Sequence, residues 1–311
     1  INSFFKSNKI DHGLISDSAL DTLKVLKENK YDAFIVGGAI RDILMGYKPK
    51  DFDIATNATP EQVRSIFKRS RIIGRRFKLV HVIYGREIIE VSTFRSKPRQ
   101  KIQMANGVLK DNEYGSIEED AERRDFTINA LYYNVKDKNL IDFYGGLKDI
   151  QKNQLRLIGK PKLRYQEDPI RMLRAIRFAA KLKMEINGET LKEIKNSIGL
   201  LMSVPYSRLF DEIMKFFLTG YAQQGMVLFK KYNLSNIYMP SLDNTNKIYN
   251  NFLLHGLKNT DLRIKNNQSV NPGFLLAVFL WHDVYELSKK YKKNFPHPSL
   301  ALDKAIDDVL Q

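Results

Sequence analysis

The sequence predicts an α+β fold, in which a head with a mixed β-sheet and flanking helices precedes an all-helical neck and body. Short strand-like runs separated by glycines are concentrated in the first half of the chain, and a helical pattern prevails from Asp168 onward. The turn-rich segment Asp142-Phe-Tyr-Gly-Gly146 lies between these two regions and marks a boundary. With 311 residues, the chain is long enough for two or three compact units.

We divide the chain into four parts on this basis. Residues 1–29 are a helical extension, residues 30–150 the head, residues 151–215 the neck and residues 216–311 the body. The chain begins at Ile1 and stops inside a predicted helix, so we expect the body to be truncated.

The first elements of the head follow from local patterns. Residues 16–29 have the apolar spacing of a helix that begins with a Ser or Asp cap. The apolar run Ala33–Val36 predicts a strand. Gly37-Gly38 then predicts a turn into a short helix from Arg41 to Met45.

A second strand and helix are predicted next. Residues 51–56 alternate polar and apolar side chains, as a strand does. A helix is predicted from Thr59 to about Lys68, because Thr59 suits the N-cap, Pro60 the first helical position and Gln62 a capping box.

The rest of the head is predicted to contain a hairpin, a loop and another strand. Strand patterns at Phe77–Tyr84 and Glu87–Phe94 flank Gly85-Arg86, which favours a hairpin. Residues 95–115 are polar, basic and rich in turn formers, so we expect a mobile loop there. The segment Ile128–Val135 predicts another strand.

Composition narrows the class of partner and the compartment. Lys and Arg outnumber Asp and Glu by 51 to 35, and the net charge of +16 favours nucleic acid or an anionic membrane surface. The chain has no cysteine, which excludes disulfides and thiolate metal sites and agrees with a reducing, cytoplasmic location. No apolar run approaches the roughly 18 residues of a membrane span.

Asp51 and Asp53 are the sharpest chemical signal in the chain. Residues two apart on a strand share one face, and two neighbouring carboxylates repel unless a cation lies between them. Mg²⁺ prefers such oxygen ligands, and two such ions can activate an attacking hydroxyl and stabilise a leaving oxygen. The alternative is a solvated strand face, because Asp-x-Asp is common.

A possible phosphate-binding turn lies just upstream, at Gly37, Gly38 and Arg41. Glycines allow a backbone to approach phosphate oxygens closely, and Arg41 can add a bidentate contact to a triphosphate. The alternative is an ordinary turn between a strand and a helix. The short distance to Asp51 along the chain favours a shared role.

Four segments together resemble the class II nucleotidyltransferases, the family of bacterial poly(A) polymerases and CCA-adding tRNA nucleotidyltransferases. Gly-Gly-x-x-Arg-Asp with Asp51-Phe-Asp-Ile-Ala-Thr56 resembles motif A, and Arg123-Arg-Asp-Phe-Thr-Ile-Asn129 resembles motif B. Asp142-x-x-Gly-Gly-x-x-Asp149 resembles motif C, and the segment from Glu167 to Ala179 resembles motif D. The motifs occur in the family's order, and the resemblance extends from about residue 30 to at least residue 215.

The resemblance implies a role for each matching residue. It implies catalysis by Asp51, Asp53 and Asp125, with Asp51 and Asp53 as the ligands of Mg²⁺, for which Mn²⁺ can substitute. It implies that motif B contacts ribose and triphosphate, that motif C is a hinge and that motif D selects the base. The implied nucleotide-binding residues are Gly37, Gly38, Arg41, Arg124, Asp168, Arg171 and Arg174.

Structural alternatives remain open for several of these residues. Taken alone, Arg124 and Asp125 favour a structural ion pair, and only the resemblance implies function. Asp168 and Arg171 are neighbours on one helical face and could form a simple salt bridge. Glu90 is either a third acidic group near the metal or a surface charge.

The resemblance favours the poly(A) polymerase branch, which implies ATP as the substrate, RNA 3′ ends as the acceptor and a monomeric enzyme. Gly74–His81, Gly115–Asp120 and Leu257–Arg263 are the segments similar to that branch. A CCA-adding enzyme is the alternative.

Two other classes of function are alternatives. A metal-dependent phosphohydrolase would use His282, Asp283 and His255, which is weak support because a His-Asp dipeptide is common. A non-catalytic RNA-binding protein would have no need for Asp51, Asp53, Arg41 and Asp125.

Overall fold

The computed structural model describes residues 10–74, 77–96, 114–235, 246–295 and 297–310. The chain forms two compact units, Ile1–Lys160 and Pro161–Gln311. The first contains a seven-stranded mixed sheet and the second is helical, which confirms the predicted α+β class. The finer division into extension, head, neck and body stays a prediction.

The sheet of the first unit runs in the order β3-β4-β5-β2-β1-β6-β7. β2 and β5 are parallel, and the other neighbouring strands are antiparallel. The strands are β1 Ala33–Val36, β2 Asp53–Thr56, β3 Ser70–Ile73, β4 Leu79–Tyr84, β5 Glu87–Thr93, β6 Leu131–Asn134 and β7 Asn139–Asp142, and a two-residue β8, Gln154–Leu155, follows.

Five α-helices accompany these strands in the described part of the first unit. They are α1 Asp17–Glu28, α2 Gly38–Leu44, α3 Pro60–Ile66, α4 Ile117–Arg123 and α5 Gly146–Gln151, and 3-10 turns form at His12–Leu14 and Thr127–Asn129. Ser16 caps α1, and Thr59 with Gln62 forms the predicted capping box of α3.

The predicted elements of the head differ from the structure in a few places. β3 and β7 were not predicted. The segment predicted as one strand, Ile128–Val135, begins as a 3-10 turn, and its strand starts only at Leu131. Most of the predicted loop, residues 97–113, lies outside the described residues, while Arg95 and Tyr114 on either side form an isolated β-bridge.

The residues of motif C form a closed hydrogen-bonded corner. Asp142 accepts hydrogen bonds from the backbone N–H groups of Gly146 and Leu147, both at 2.9 Å. Asp149 accepts a bond of 2.6 Å from the Thr127 hydroxyl and one of 2.9 Å from Arg156 Nε. These bonds give the two aspartates a structural task, and the implied hinge stays a prediction.

The second unit is built from helices, with one two-residue strand, β9 Glu185–Ile186, and a 3-10 turn at Ile198–Ser203. Its described helices are α6 Pro161–Glu167, α7 Ile170–Leu182, α8 Gly188–Ser197, α9 Tyr206–Phe217, α10 Ala222–Lys231, α11 Lys247–Lys265, α12 Pro272–Tyr291 and α13 Pro298–Leu310. Among the described residues, none of the helices has the length and apolarity needed to cross a membrane.

Candidate active site

The turn between β1 and α2 lies at the centre of the candidate site. Gly37 has φ 77° and ψ −130°, a conformation that side chains disfavour. A Cβ atom added there would lie 3.6 Å from Arg124 Nη1 and 3.8 Å from Asp53 Oδ2. The fold therefore brings the predicted glycine turn, Arg124 and Asp53 together.

The sheet register sets the position of Asp53. In β2, Asp53 is the Cα partner of Val36 on β1 and of Glu90 on the parallel strand β5. The expectation that Asp51 belongs to the same strand is wrong, because β2 begins at Asp53. Asp51 is exposed and precedes the strand, so the spacing of two residues does not impose a shared strand face.

The electrostatic surroundings of Asp53 disfavour its charged form. Burial raises the pKa of Asp53 to about 6, and the negative charges of Glu90 and Asp51 add to that rise, while Arg124 opposes it. A divalent cation beside Asp53 would reverse this balance, since it favours the carboxylate. The chemistry of the donors therefore fits a hard cation.

Few side chains in the candidate site could serve as ligands of a metal ion. The part of the chain that the structure describes contains no group of three or more His, Asp or Glu side chains that could hold a metal ion. Mg²⁺ is commonly bound by one or two carboxylates together with substrate phosphates and water. Asp51 and Asp53 suit a site of that kind, which forms fully only with the substrate.

Glu90 lies next to this acidic pair. Its backbone is registered against Asp53, and its Oε1 lies 3.4 Å from His81 Nε2 on β4. The Glu90 side chain is half-exposed, so its role as a third acidic group near the metal stays a prediction beside the alternative of a surface charge. The pairing of β2 with β5 is what brings Glu90 beside Asp53, and nothing in the local sequence pattern of residues 87–93 shows it.

Arg41 is buried, with only 3% of its surface exposed. Its Nε and Nη2 donate to Asp42 Oδ1 at 2.8 Å and 2.6 Å, and its Nη1 donates to Asn129 Oδ1 at 2.7 Å. A Cβ atom added to Gly38 would lie 3.5 Å from Arg41 Nη2, so the guanidinium lies against the glycine turn. Arg41 thus links this turn to the end of motif B.

The side chain of Arg124 is held by two buried residues, Asp120 and Tyr132. Its Nη2 donates to Asp120 Oδ2 at 3.0 Å and its Nε donates to the Tyr132 hydroxyl oxygen at 2.9 Å. Burial opposes the charge on Asp120, but Arg124, the Tyr132 hydroxyl and Arg123 lower the pKa of Asp120 overall. The support that Asp120 and Tyr132 give to Arg124 was not predicted from the sequence.

Asp125 follows Arg124 at the end of α4. Its backbone carbonyl accepts a hydrogen bond of 2.9 Å from Ile158 N–H, and the next residue, Phe126, forms a β-bridge with Leu157. The Asp125 side chain is half-buried. Its backbone is therefore fixed, and its catalytic role stays a prediction.

In the second unit, Asp168 and Arg171 are held by different partners. Asp168 lies between α6 and α7, where Oδ1 accepts from Ile170 N–H at 3.3 Å and Oδ2 accepts from Arg208 Nη2 on α9 at 2.7 Å. Arg171 Nη1 donates to Glu167 Oε2 at 3.0 Å and to the Arg164 carbonyl at 2.7 Å. The ion pairs with Arg208 and Glu167 were not anticipated.

The buried face of α7 fixes the direction of its arginines. Ile170, Leu173 and Ile176 are buried as predicted, which leaves Arg171 and Arg174 half-buried on another side of the helix. Arg177 donates to Glu212 Oε1 at 2.9 Å, so it serves packing between α7 and α9.

The residues of the phosphohydrolase alternative do not form a metal site in the structure. The His282 ring packs on Tyr249 with centroids 4.7 Å apart, and His255 is exposed. The absence of a metal-binding group among the described residues applies here as well.

Comparison with known proteins finds two matching families. Residues 33–156 match the family described as "Poly A polymerase head domain". Residues 183–245 match the family described as "Probable RNA and SrmB- binding site of polymerase A". The first match contains Gly37, Asp53 and Arg124, and the segment with Asp168 and Arg171 lies between the two matches.

The similarity to poly(A) polymerases is higher and longer than that to CCA-adding enzymes. The chain is 45% identical to Poly(A) polymerase I of Escherichia coli O157:H7 over 312 residues, which cover 95% of this chain and 67% of that protein. It is 36% identical to the CCA-adding enzyme of Lactobacillus johnsonii over 219 residues, which cover 70% of this chain and 54% of that enzyme.

The fold is also similar to a solved structure. The CCA-adding enzyme of Bacillus stearothermophilus in complex with CTP superposes with a TM-score of 0.68 and 28% identity. The match covers 94% of this chain and 68% of that one. The chain thus spans about two thirds of the length of the E. coli and B. stearothermophilus proteins.

Proposed function

This chain belongs to the poly(A) polymerase family of nucleotidyltransferases, and from that premise we propose that it transfers AMP from ATP to the 3′ end of RNA and releases pyrophosphate. The observation that carries the proposal is the acidic group at the start of β2. Asp53, with a pKa raised to about 6, lies beside Glu90 and next to the Gly37 turn and Arg124. The identity to a poly(A) polymerase over 95% of the chain supports ATP as the substrate.

Asp51 and Asp53 would hold Mg²⁺, for which Mn²⁺ can substitute. When bound, the ion lowers the pKa of the attacking 3′ hydroxyl and stabilises the departing pyrophosphate. Glu90 keeps the local charge negative, so that the site attracts a cation before ATP arrives.

The glycine turn and two arginines serve the triphosphate. Gly37 and Gly38 carry no side chains, so phosphate oxygens can approach the backbone closely. Arg124 Nη1 lies next to Gly37, where it neutralises phosphate charge, and Asp120 and Tyr132 hold it in that orientation. Arg41, engaged by Asp42 and Asn129, positions the turn rather than reaching into solvent.

In the second unit, Asp168 and Arg171 select the base. A carboxylate acceptor and a guanidinium donor match the amino donor and the neighbouring ring-nitrogen acceptor that adenine and cytosine share, and they do not match the reversed pattern of guanine and uracil. Glu167 holds Arg171 and Arg208 holds Asp168, which limits the orientations that either group can adopt. Arg174, on the same helix, adds a further positive group to this nucleotide-binding set.

RNA is the acceptor that best fits the charge and the second family match. The net charge of +16 attracts a polyanion, and residues 183–245 match a family described as a probable RNA-binding site. We further propose that the enzyme is a monomer. We also propose that it acts in the cytoplasm, which agrees with the absence of cysteine from the sequence.

Primer extension tests this function directly. Oligo(A) and a tRNA lacking its 3′ terminus are each incubated with Mg²⁺ and one nucleotide at a time, and the tRNA is also incubated with CTP and ATP together, with Asp53→Ala as the inactive control. A long ladder on oligo(A) with ATP alone is the expected result. Addition limited to two C and one A on the tRNA would instead establish a CCA-adding enzyme.

A further inference from the structure

α11 and α12 expose a row of three aromatic side chains that the proposed chemistry does not use. Phe252, Trp281 and Tyr285 are 42%, 42% and 45% exposed. The ring centroids of Phe252 and Trp281 are 6.2 Å apart, with planes inclined by 36°. Those of Trp281 and Tyr285 are 6.4 Å apart, with planes inclined by 21°. Exposed aromatic patches of this kind commonly mark interaction sites.

The two helices hold this aromatic row in place. On α12, Trp281 and Tyr285 are four residues apart and share one face, while Val278 and Phe279 are buried on another. Gly256 lets α11 approach α12 closely, because a Cβ atom at this position would lie 2.8 Å from Val278. The rings therefore project from a packed pair of helices and not from a loop.

The chain segment that carries the aromatic row is rich in basic residues. Residues 246–295 contain eight Lys and Arg residues but only three acidic ones, Asp261, Asp283 and Glu286. Asp261 is buried and accepts hydrogen bonds from the first backbone N–H groups of α10. Lys289 Nζ lies 4.2 Å from the centroid of the Tyr285 ring and 3.1 Å from Glu286. Exposed rings in a basic segment are complementary to a polyanion that also carries flat apolar groups.

We propose that Phe252, Trp281 and Tyr285, with Lys289 beside the Tyr285 ring, form a stacking platform for the bases of single-stranded RNA. The proposal rests on the proposed function, in which RNA is the acceptor. Aromatic rings stack on any base, and lysines follow the phosphate backbone, so such a platform tolerates many sequences. It would hold the acceptor strand while its 3′ end is extended.

The composition of the chain provides a direct probe, because Trp281 is its only tryptophan. Titration with a non-extendable oligo(A) is expected to quench Trp281 fluorescence in a saturable way. Inorganic polyphosphate of the same charge is expected to leave the fluorescence unchanged, because it has no bases. Binding of oligo(A) by anisotropy without any change in Trp281 fluorescence would overturn the platform.

Substitutions sharpen the test. Trp281→Ala and Phe252→Ala are each expected to weaken oligo(A) binding roughly tenfold, in line with the loss of one stacked base. Trp281→Phe keeps a ring and is expected to retain most of the affinity. Leu254→Ala is the matched control, because Leu254 is also an apolar residue of α11 and is 41% exposed. Equal affinity in all four variants would refute the proposal.

Measuring AMP incorporation beside Trp281 fluorescence separates the stacking platform from the proposed polymerase activity. If oligo(A) quenches Trp281 but ATP is never incorporated, the proposed activity fails while the platform stands. If AMP is added normally and Trp281 does not respond to RNA, the platform alone fails. A change in sedimentation mass on Trp281→Ala would assign this face to contact between protein copies and would also refute RNA stacking.

Discussion

The two groups of residues that we assign to the nucleotide are held in different ways. In the first unit, strand register places Asp53 beside Glu90, and Arg41 is almost completely buried. In the second unit, Asp168 depends on a side-chain bond from Arg208, which is 55% exposed at its side chain. The first group is positioned by the backbone and the core, and the second by ion pairs closer to the surface.

This difference predicts how each group responds to substitution. Changes in the first unit should alter chemistry and folding stability together, because functional groups and core share the same strands. Changes around Asp168 should alter nucleotide choice and leave stability nearly unchanged, because exposed ion pairs contribute little.

Asp53→Asn gives the largest expected effect and the clearest conflict between function and stability. AMP addition should fall at least about 1,000-fold, since a charged ligand for the cation is lost. The free energy of unfolding without metal should rise by about 3 kcal/mol at pH 8, because burial and neighbouring charges raise the pKa of Asp53 to about 6. Activity assays and urea unfolding in EDTA measure the two effects.

The stability gained by Asp53→Asn should depend on pH, because the pKa of Asp53 is raised in the folded protein. A raised pKa in the folded state means that the wild-type carboxylate costs stability only where it is charged, fully above pH 6. The advantage of Asp53→Asn should therefore shrink as the pH falls from about 6 and vanish below the ordinary value of 3.8. A constant advantage at every pH would contradict this account.

Gly146→Ala tests the corner formed by motif C. A Cβ atom on Gly146 would clash with the backbone oxygen of Thr127, which no side-chain rotation can relieve. We expect a loss of about 3 kcal/mol or more in the free energy of unfolding. Gly188→Ala, at the start of α8 with no atom within 4 Å, is the control and should unfold as the wild type does or slightly later.

The sequence predicted those parts of the fold and site that depend on local patterns. The capping box at Thr59 and Gln62 is visible within four residues, and the structure confirms it. The turn at Gly37 is equally local. Edge strands such as β3 are harder to predict, because Arg71, Ile72 and Ile73 are all exposed and do not alternate. Pairing with β4, and not a pattern of burial, defines that strand.

The supports of the site residues were missed because they depend on distant contacts. Arg208 follows Asp168 by 40 residues, and no spacing rule connects α9 to the start of α7. Asp120 is four residues before Arg124, but the sequence does not show that Tyr132 on β6 completes their contact. The exposed position of Asp51 was missed for a related reason, since the beginning of β2 is set by its neighbours.

Asp120→Asn tests whether the buried carboxylate that holds Arg124 contributes both to folding stability and to AMP addition. We expect the free energy of unfolding to fall by about 2 kcal/mol at pH 7, because two guanidinium groups lose their charged partner. AMP addition should fall roughly tenfold. The wild-type contribution exists above the usual carboxyl pKa and is lost as the pH falls through the lowered pKa of folded Asp120. Tyr132→Phe removes one bond to Arg124 and should give a smaller loss of both quantities.

Arg208→Ala should have the smallest effect on stability and the most specific effect on function. Loss of the 2.7 Å bond frees Asp168 Oδ2, so the carboxylate can rotate and the ratio of kcat/KM for ATP over GTP should fall roughly tenfold. Arg208→Lys keeps a charge and should restore part of that ratio. Lys304→Ala removes an exposed ion pair with Asp308 and should leave the ratio unchanged.

If Arg208→Ala unfolded the protein and left the ratio intact, the contrast between a core-held site and a surface-held site would be wrong. A lower ratio at unchanged stability would show that Arg208 acts through the orientation of Asp168.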